Sequence, residues 1–182
     1  MIHLASNSIT RAELLKEFGI NFIQKAPEYD EEQITTKIAK DFVYLASKGK
    51  LQKAIEEFGL DIPLLSADSV ISTKDGKILR KPKNIDEAKE ILNIQSGSQI
   101  AIITAIHYKS QNFYLCDISA TYYNFATFDQ KDLENYLKSN EWQGKAGGCM
   151  VEGFCKKYII DVKGYESTAR GLQVEKLLRW IR

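Results

Sequence analysis

The sequence predicts an α/β protein in which a mixed, twisted sheet is flanked by helices. Two observations support this class. Short apolar runs of strand length alternate with longer segments in which apolar residues recur at helical spacing. In addition, residues 100–108 and 113–125 are apolar, β-branched runs joined by the polar turn Ser110-Gln111-Asn112, which is typical of a long hairpin. Helices between strands, together with hairpins, imply a sheet with both parallel and antiparallel pairs.

The first two elements follow from local patterns at the N-terminus. An apolar run predicts a strand at 2–5. Apolar residues at helical spacing then predict a helix at 11–18. Thr10 and Glu13 have the spacing of a capping box at its start, and Gly19 ends it.

The next segment predicts a strand, an acidic loop and a long helix. The strand covers 21–24, and the acidic loop covers 27–32. Apolar residues at helical intervals predict one helix from Ile34 through Ile55 that ends at Gly59.

The middle of the chain predicts a largely buried strand at 63–71 and a hairpin turn after it. The turn contains Asp75 and Gly76, a pair that tolerates the positive φ of a type I′ turn. A short helix at 86–92 follows, with Asn84 as its capping residue. The remaining predicted elements are a helix at 130–137, a glycine-rich break at 144–153, a strand at 157–162 and a final helix at 172–181.

Composition excludes several functional classes. The 182 residues carry 25 Lys and Arg against 24 Asp and Glu, and a net charge of +1 is not the footprint of a nucleic-acid-binding protein. No apolar run approaches the ~20 residues that span a bilayer. The N-terminus lacks the basic region of a signal peptide, so the predicted location is the cytoplasm, with no membrane and no stable nucleic-acid partner.

The counts of cysteine and histidine restrict the chemistry. Three cysteines without CxxC spacing are interpreted as buried, reduced thiols. Two histidines argue against a histidine-rich zinc site and against a Ser-His-Asp triad. Any catalysis must therefore depend on carboxylates, lysines, arginines and hydroxyls.

The first candidate site is the turn that joins the first strand to the first helix. It contains Ser6, Ser8 and Arg11. A helix N-terminus offers free N–H groups and the positive end of a dipole, which suit a phosphate group. The alternative is an ordinary capped helix with an exposed arginine.

The second candidate is Asp68, a carboxylate inside an apolar strand. Burying an unpaired carboxylate costs several kcal/mol, so such a group is paired, hydrated or bound to a cation. A metal ligand or a general base would explain it, and so would a structural role in capping a neighbouring turn.

Basic residues and a second constrained carboxylate complete the candidates. Lys50 lies on the long predicted helix among other lysines, a pattern also typical of a solvated face. Lys81 precedes a proline, which holds it in an extended conformation. Glu152 lies in the glycine-rich segment, where glycines let the backbone approach a ligand or simply form a tight bend.

The ordered set of these segments resembles the Maf family of nucleotide pyrophosphatases. The family begins L-A-S-x-S-P-R-R-x-E-L-L, and this chain has the similar segment 4–15. The further matching segments are Ala67-Asp68-Ser69-Val70-Ile71, Lys81-Pro82 with Glu87-Ala88, Ser96-Gly97 with Thr104, Gly144-Lys145-Ala146-Gly147 with Glu152-Gly153, and Gly171-Leu172. The match is collinear over nearly the whole chain.

The resemblance implies a single domain over residues 1–182 with two lobes around a central cleft and no linker, as in ITPase-like folds. It implies hydrolysis of nucleoside triphosphates to the monophosphate and pyrophosphate with Mg²⁺ or Mn²⁺, and it is compatible with a homodimer. The implied catalytic residues are Asp68 as general base, Lys50 and Lys81; the implied metal ligands are Asp68 and Glu31; and the implied substrate-binding residues are Ser6, Ser8, Arg11, Ser69 and Glu152.

Departures from the family pattern leave the substrate open. Ile9 and Thr10 stand where the family has Pro-Arg, and Gln173 stands where it has proline. Glu152 resembles the branch that prefers 7-methyl-GTP, whereas Ser69 after Asp68 resembles the branch that prefers dTTP and UTP. A non-catalytic, nucleotide-binding regulator of septum formation and an inosine-triphosphate pyrophosphatase remain as alternatives.

Overall fold

A computed structural model describes residues 1–181. The strands are β1 (Ile2–Leu4), β2 (Phe22–Gln24), β3 (Leu64–Thr73), β4 (Ile78–Leu79), β5 (Gln99–Lys109), β6 (Tyr114–Phe125) and β7 (Ile159–Lys163). The helices are α1 (Ile9–Glu17), α2 (Ala39–Phe58), α3 (Ile85–Gln95), α4 (Gln130–Ser139), α5 (Glu166–Ala169) and α6 (Val174–Leu177).

The strands form one mixed sheet. Its order is β2-β1-β3-β5-β6-β7, and β4 pairs with β3 away from this path. Strand β1 runs parallel to both β2 and β3, whereas β4 is antiparallel to β3 and β7 is antiparallel to β6. The predicted α/β class with a mixed sheet is therefore confirmed. Across residues 1–181, no helix is both long enough and apolar enough to cross a membrane.

The chain divides into two compact units. The first unit comprises residues 1–69, 103–120 and 165–181, and the second comprises 70–102 and 121–164. The chain passes from one unit to the other inside strands β3, β5 and β6, and again after β7.

The first unit buries both faces of its part of the sheet. Leu4 and Leu65 belong to a core cluster that includes residues of α1 and α6, whereas the adjacent residues Ala5 and Leu64 belong to a second cluster with α2. Successive side chains on a strand point to opposite faces, which explains this division. Each fully buried leucine contributes about 1.5–3 kcal/mol.

The second unit is built around aromatic packing. Phe128 is buried and contacts the ring of Phe154 edge-on, with the ring centroids 5.2 Å apart. Tyr136 on α4 stacks on Phe154 at 4.4 Å. The indole N–H of Trp142 donates to the carbonyl of Leu137, which fixes the chain after α4.

Two predicted helices differ from the observed ones. Helix α2 begins at Ala39, five residues after the predicted start at Ile34. The intervening chain forms a turn in which the Ile34 amide donates to the Glu31 carbonyl, 3.2 Å apart. The predicted helix 172–181 is reduced to α6, because Leu172, Gln173 and Val174 are consecutively buried and cannot share one face of a helix.

Of the predicted caps and turns, the Asn84 cap is confirmed and the type I′ hairpin turn is wrong. Asn84 caps α3, accepting from the Glu87 amide at 2.9 Å as expected. The hairpin turn is not type I′, because in this turn Gly76 alone has positive φ, at 87°. A type I turn followed by a left-handed glycine explains this geometry.

Candidate active site

The turn between β1 and α1 is capped by a serine rather than by the predicted threonine. Ser8 has extended dihedrals and accepts a hydrogen bond from the Arg11 amide at 3.4 Å, so α1 begins at Ile9. The Ser8 amide donates in turn to the Ser6 hydroxyl at 3.2 Å. The capping box predicted at Thr10 is therefore wrong: the capping residue is Ser8, two residues earlier, and the residue three positions after it is Arg11 rather than a glutamate.

The Arg11 guanidinium joins three separate parts of the first unit. Its Nη1 donates to Ser6 Oγ at 3.0 Å, its Nη2 to Ser69 Oγ at 3.3 Å, and its Nε to the Gly171 carbonyl at 3.0 Å. A Cβ at residue 171 would lie 3.0 Å from Arg11 Nε, and φ there is 103°, so glycine suits this approach. Three of the predicted substrate-binding residues, Ser6, Arg11 and Ser69, thus lie together.

A buried hydroxyl chain continues from Ser69. Thr104 donates to the Thr168 carbonyl at 2.8 Å, so its single hydroxyl hydrogen is used there. The Ser69 hydroxyl, 2.8 Å from Thr104 Oγ1, is then the donor of that pair and accepts from Arg11. Sequence reasoning did not propose Thr104 and Thr168 as site residues, although Thr104 is part of the family pattern that includes Ser96-Gly97.

Asp68 is the buried carboxylate that the sequence predicted. It lies on β3 and is 4% exposed. Its Oδ1 accepts from Lys50 Nζ at 2.7 Å, and the same ammonium contacts the Glu31 carboxylate. Its Oδ2 has no hydrogen-bond partner within the described residues 1–181. The structure therefore brings Lys50, Asp68 and Glu31 together.

Burial and the neighbouring charges shift the pKa of Asp68 in different directions. Loss of hydration raises the pKa of the carboxyl group, and the negative charge of Glu31 raises it further. The positive charges of Lys50 and Arg11 lower it, yet the net shift is upward. A carboxylate whose pKa is raised is a stronger proton acceptor than an ordinary aspartate, which suits a general base.

Two contacts near the middle of α2 fix the position of the helix segment that carries Lys50. The Ser66 hydroxyl on β3 donates to the Ser47 carbonyl at 2.8 Å and fixes the helix against the strand. The Tyr29 ring packs on Gly49, where an added Cβ would lie 2.3 Å from ring carbon Cζ. Sequence reasoning missed Gly49 and Tyr29. The available signal was a glycine inside a helix, which costs about 1 kcal/mol relative to alanine.

The second unit contains the remaining predicted site residues, Lys81 and Glu152. Lys81 is exposed and follows β4, with Pro82 buried beside it. Glu152 is half-buried, and its Oε1 lies 3.8 Å from the Lys145 ammonium. Their places relative to Asp68 remain predictions.

The glycine-rich segment is connected to the chain that precedes Lys81. The Gly147 amide donates to the Arg80 carbonyl at 3.0 Å, and the Gly147 carbonyl accepts from Gln95 Nε2 at 2.6 Å. Gly147 has φ of 58°, and a Cβ there would lie 2.6 Å from Ile71 Cδ1. This glycine is therefore held on three sides.

The described residues do not form a complete metal-binding site from protein side chains alone. Among residues 1–181, no group of three or more His, Cys, Asp or Glu side chains is arranged to hold a metal ion. The two predicted metal ligands, Asp68 and Glu31, are instead joined by the Lys50 ammonium.

Comparisons with known proteins agree on one family. The family model for Maf-like proteins matches residues 1–182. A nucleoside triphosphate pyrophosphatase of Nitratiruptor sp. is 53% identical over 179 residues, covering 97% of this chain and 96% of the relative. Proteins of the same name from Helicobacter pylori (strain J99) and Campylobacter jejuni subsp. jejuni are 42% and 35% identical, covering 96% and 100% of this chain and 92% and 100% of those relatives.

A solved structure was also found at a lower level of similarity. It is a nucleoside-triphosphatase / dITP/XTP pyrophosphatase from Mycobacterium abscessus, with a TM-score of 0.42 and 14% sequence identity. The match covers 69% of this chain and 72% of that one.

Proposed function

The chain belongs to the Maf-like protein family, and from this premise we propose that it hydrolyses nucleoside triphosphates to the monophosphate and pyrophosphate. This reaction is that of a hydrolase acting on acid anhydrides. The relatives share the name nucleoside triphosphate pyrophosphatase, which describes the same class of enzyme. The observation that carries the proposal is Asp68, a buried carboxylate with one oxygen held by Lys50 and the other without a partner among residues 1–181.

The triphosphate is proposed to bind over the turn between β1 and α1. Ser6 and Ser8 present hydroxyls there, and the first turn of α1 presents the positive end of the helix dipole. Two guanidinium hydrogens of Arg11 remain after its three hydrogen bonds, because the group carries five N–H donors. Lys50 adds a positive charge, and we assign Lys81 the same role from the second unit.

A divalent cation fits the donor set. Mg²⁺ is commonly bound by one or two carboxylates together with substrate phosphates and water, so a full protein cage is unnecessary. Asp68 and Glu31 would hold Mg²⁺ or Mn²⁺, because both are hard oxygen ligands and their carboxylates already converge on one cation, the Lys50 ammonium. When bound, the ion would offset negative charge on the pyrophosphate leaving group.

Asp68 is proposed as the general base. Its Oδ2 accepts a proton from a water molecule, whose oxygen forms a bond to the α-phosphorus. The bond from the α-phosphorus to the oxygen that bridges to the β-phosphorus breaks, and pyrophosphate leaves. Lys50 donates to Oδ1 at 2.7 Å, which leaves Oδ2 as the oxygen that can accept the proton.

Pyrophosphate release from a panel of nucleotides tests this function. The panel contains dTTP, UTP, 7-methyl-GTP, ITP and XTP with Mg²⁺ or Mn²⁺. Zero release from every nucleotide would favour the non-catalytic regulator, and a clear preference for ITP or XTP would favour an inosine-triphosphate pyrophosphatase. The panel also decides between the dTTP/UTP and 7-methyl-GTP preferences.

The substitution Asp68→Asn tests the base. It retains the shape of the side chain and removes the proton acceptor, and loss of a positioned base lowers kcat about 10²–10⁴-fold. Asp61→Asn, at an exposed position between α2 and β3, is the matched control and should leave kcat unchanged. Turnover by folded Asp68→Asn at the wild-type rate would remove Asp68 from this role.

A further inference from the structure

Two cysteines of the second unit lie in direct contact. Cys149 follows the short 3₁₀ turn Ala146–Gly148, and Cys155 lies in the 3₁₀ turn Phe154–Tyr158. Their sulfur atoms are 3.2 Å apart, and both residues are buried, at 8% and 0% exposure. The Cys155 amide donates to the Met150 carbonyl at 3.0 Å, which folds the intervening chain back on itself.

We propose that Cys149 and Cys155 are a redox modification site, at which a small peroxide converts the two thiols into a disulfide across residues 149–155. The sulfurs need to approach by about 1.2 Å, from 3.2 Å to the length of a disulfide bond. Glu152 lies inside the segment that this bond would close into a ring.

Cys116 is the internal comparison. It belongs to the first unit, and its sulfur lies 3.7 Å from His107 Nε2 rather than near another sulfur. It is half-buried, so it is at least as accessible as Cys149 and Cys155. A reagent that oxidised thiols without regard to their neighbours would modify Cys116 at least as readily as the pair.

The reaction is balanced with hydrogen peroxide as the oxidant. The Cys149 sulfur attacks one peroxide oxygen, the O–O bond breaks, and the departing hydroxide takes the thiol proton to give water and a sulfenic acid. The Cys155 sulfur then attacks the Cys149 sulfur, the S–O bond breaks, and the hydroxide takes the second thiol proton. Two thiols are oxidised by two electrons in total, and the peroxide is reduced to two waters.

The surroundings of the pair disfavour the reactive thiolate form of Cys149. The hydrogen bond to Cys155 and the loss of hydration raise the pKa of the Cys149 thiol, and the Glu152 carboxylate raises it further. Lys145 acts in the opposite direction, and the Tyr136 phenol also faces the two sulfurs. Because the thiolate is the reactive form, the rate of disulfide formation should rise in alkaline buffer.

The test counts free thiols by mass. The folded, full-length protein is treated with hydrogen peroxide in alkaline buffer, the peroxide is removed with catalase, and the protein is then denatured and labelled with N-ethylmaleimide. The wild-type protein should fall from three labels to one, with a mass loss of two hydrogens, and a reductant should restore all three. The same treatment of Cys116→Ser should leave no label.

Several results would overturn the proposal. These are retention of three labels after treatment, a disulfide that includes Cys116 or joins two chains, and over-oxidation of Cys149 without a bond to Cys155. Neither Cys149→Ser nor Cys155→Ser should lose two hydrogens, because each lacks one thiol of the pair. Because the readout is mass, the result does not depend on whether the protein hydrolyses nucleotides.

Discussion

Lys50→Met is expected to destabilise the protein strongly, because it removes the cation that Asp68 and Glu31 share. The side chains of Lys50 and Asp68 are 15% and 5% exposed, so the pair is mostly withdrawn from water. Removing one partner of a buried ion pair costs about 3–5 kcal/mol, since the other charge is left uncompensated. For a protein of this length, that loss corresponds to a fall in Tm of roughly 6–20 °C.

The destabilisation should depend on pH in a defined direction. Burial holds the pKa of Asp68 above its value in the unfolded chain, and loss of Lys50 would raise it further. The folded state then binds the proton more tightly than the unfolded state. Stability conferred by the proton is fully present below the unfolded pKa and is lost as pH rises through the folded pKa. The deficit of Lys50→Met relative to wild type should therefore be small in acid and should grow with pH.

Thermal and urea denaturation, followed by circular dichroism at several pH values, would measure this effect. The double variant Lys50→Met/Asp68→Asn should recover most of the lost stability, because the uncompensated charge is gone. Lys53→Met is the matched control on the same helix. Its ion pair with Glu56 is largely exposed, and its loss should cost less than about 1 kcal/mol. A single Lys50 variant as stable as wild type, or a double variant without recovery, would refute the reasoning.

Three further substitutions test the supports of the candidate site. Gly49→Ala should lower the free energy of unfolding by about 1–3 kcal/mol and reduce kcat, because its methyl group would collide with the Tyr29 ring and force that ring off α2. Denaturation and steady-state kinetics measure the two effects. Gln95→Leu should leave the protein folded but raise KM more than it lowers kcat, because the buried Gly147 carbonyl loses its donor, at a cost of about 1–3 kcal/mol. Glu152→Gln should change the order of preferred nucleotides without abolishing pyrophosphate release, which the nucleotide panel measures.

Exposed positions provide the controls for these variants. Gln52→Leu on α2 and Glu141→Gln after α4 should leave stability, KM and nucleotide order unchanged. An unchanged KM in Gln95→Leu would show that the contact with Gly147 is structural only. An unchanged nucleotide order in Glu152→Gln would show that Glu152 does not decide which nucleotide is preferred. A fully stable Gly49→Ala would mean that the Tyr29 ring moves away at little cost.

The sequence by itself determined the features that depend on neighbouring residues. Strand β1, helix α1, the Asn84 cap and the glycine at the hairpin turn follow from short-range patterns of hydrophobicity and turn chemistry. Asp68 was also identifiable, because a carboxylate inside an apolar strand requires an explanation wherever the strand lies. Short-range patterns gave wrong element boundaries where contacts with distant residues determine the local conformation. Ile34 continues the helical spacing, yet the chain there forms the turn after Glu31, and α2 begins only at Ala39.

Only the tertiary structure decided which groups meet. Helix α2 carries four lysines, Lys40, Lys48, Lys50 and Lys53, and local pattern alone could not say which of them approaches a carboxylate. Folding places Lys50 at 2.7 Å from Asp68, and it places Arg11 against the carbonyl of Gly171, 160 residues away in the sequence. The final helix is likewise shorter than predicted, because the chain around Gln173 is buried and the side-chain amide of Gln173 donates to the Thr104 carbonyl. These contacts depend on the packing of elements that are distant in sequence, and no local pattern encodes that packing.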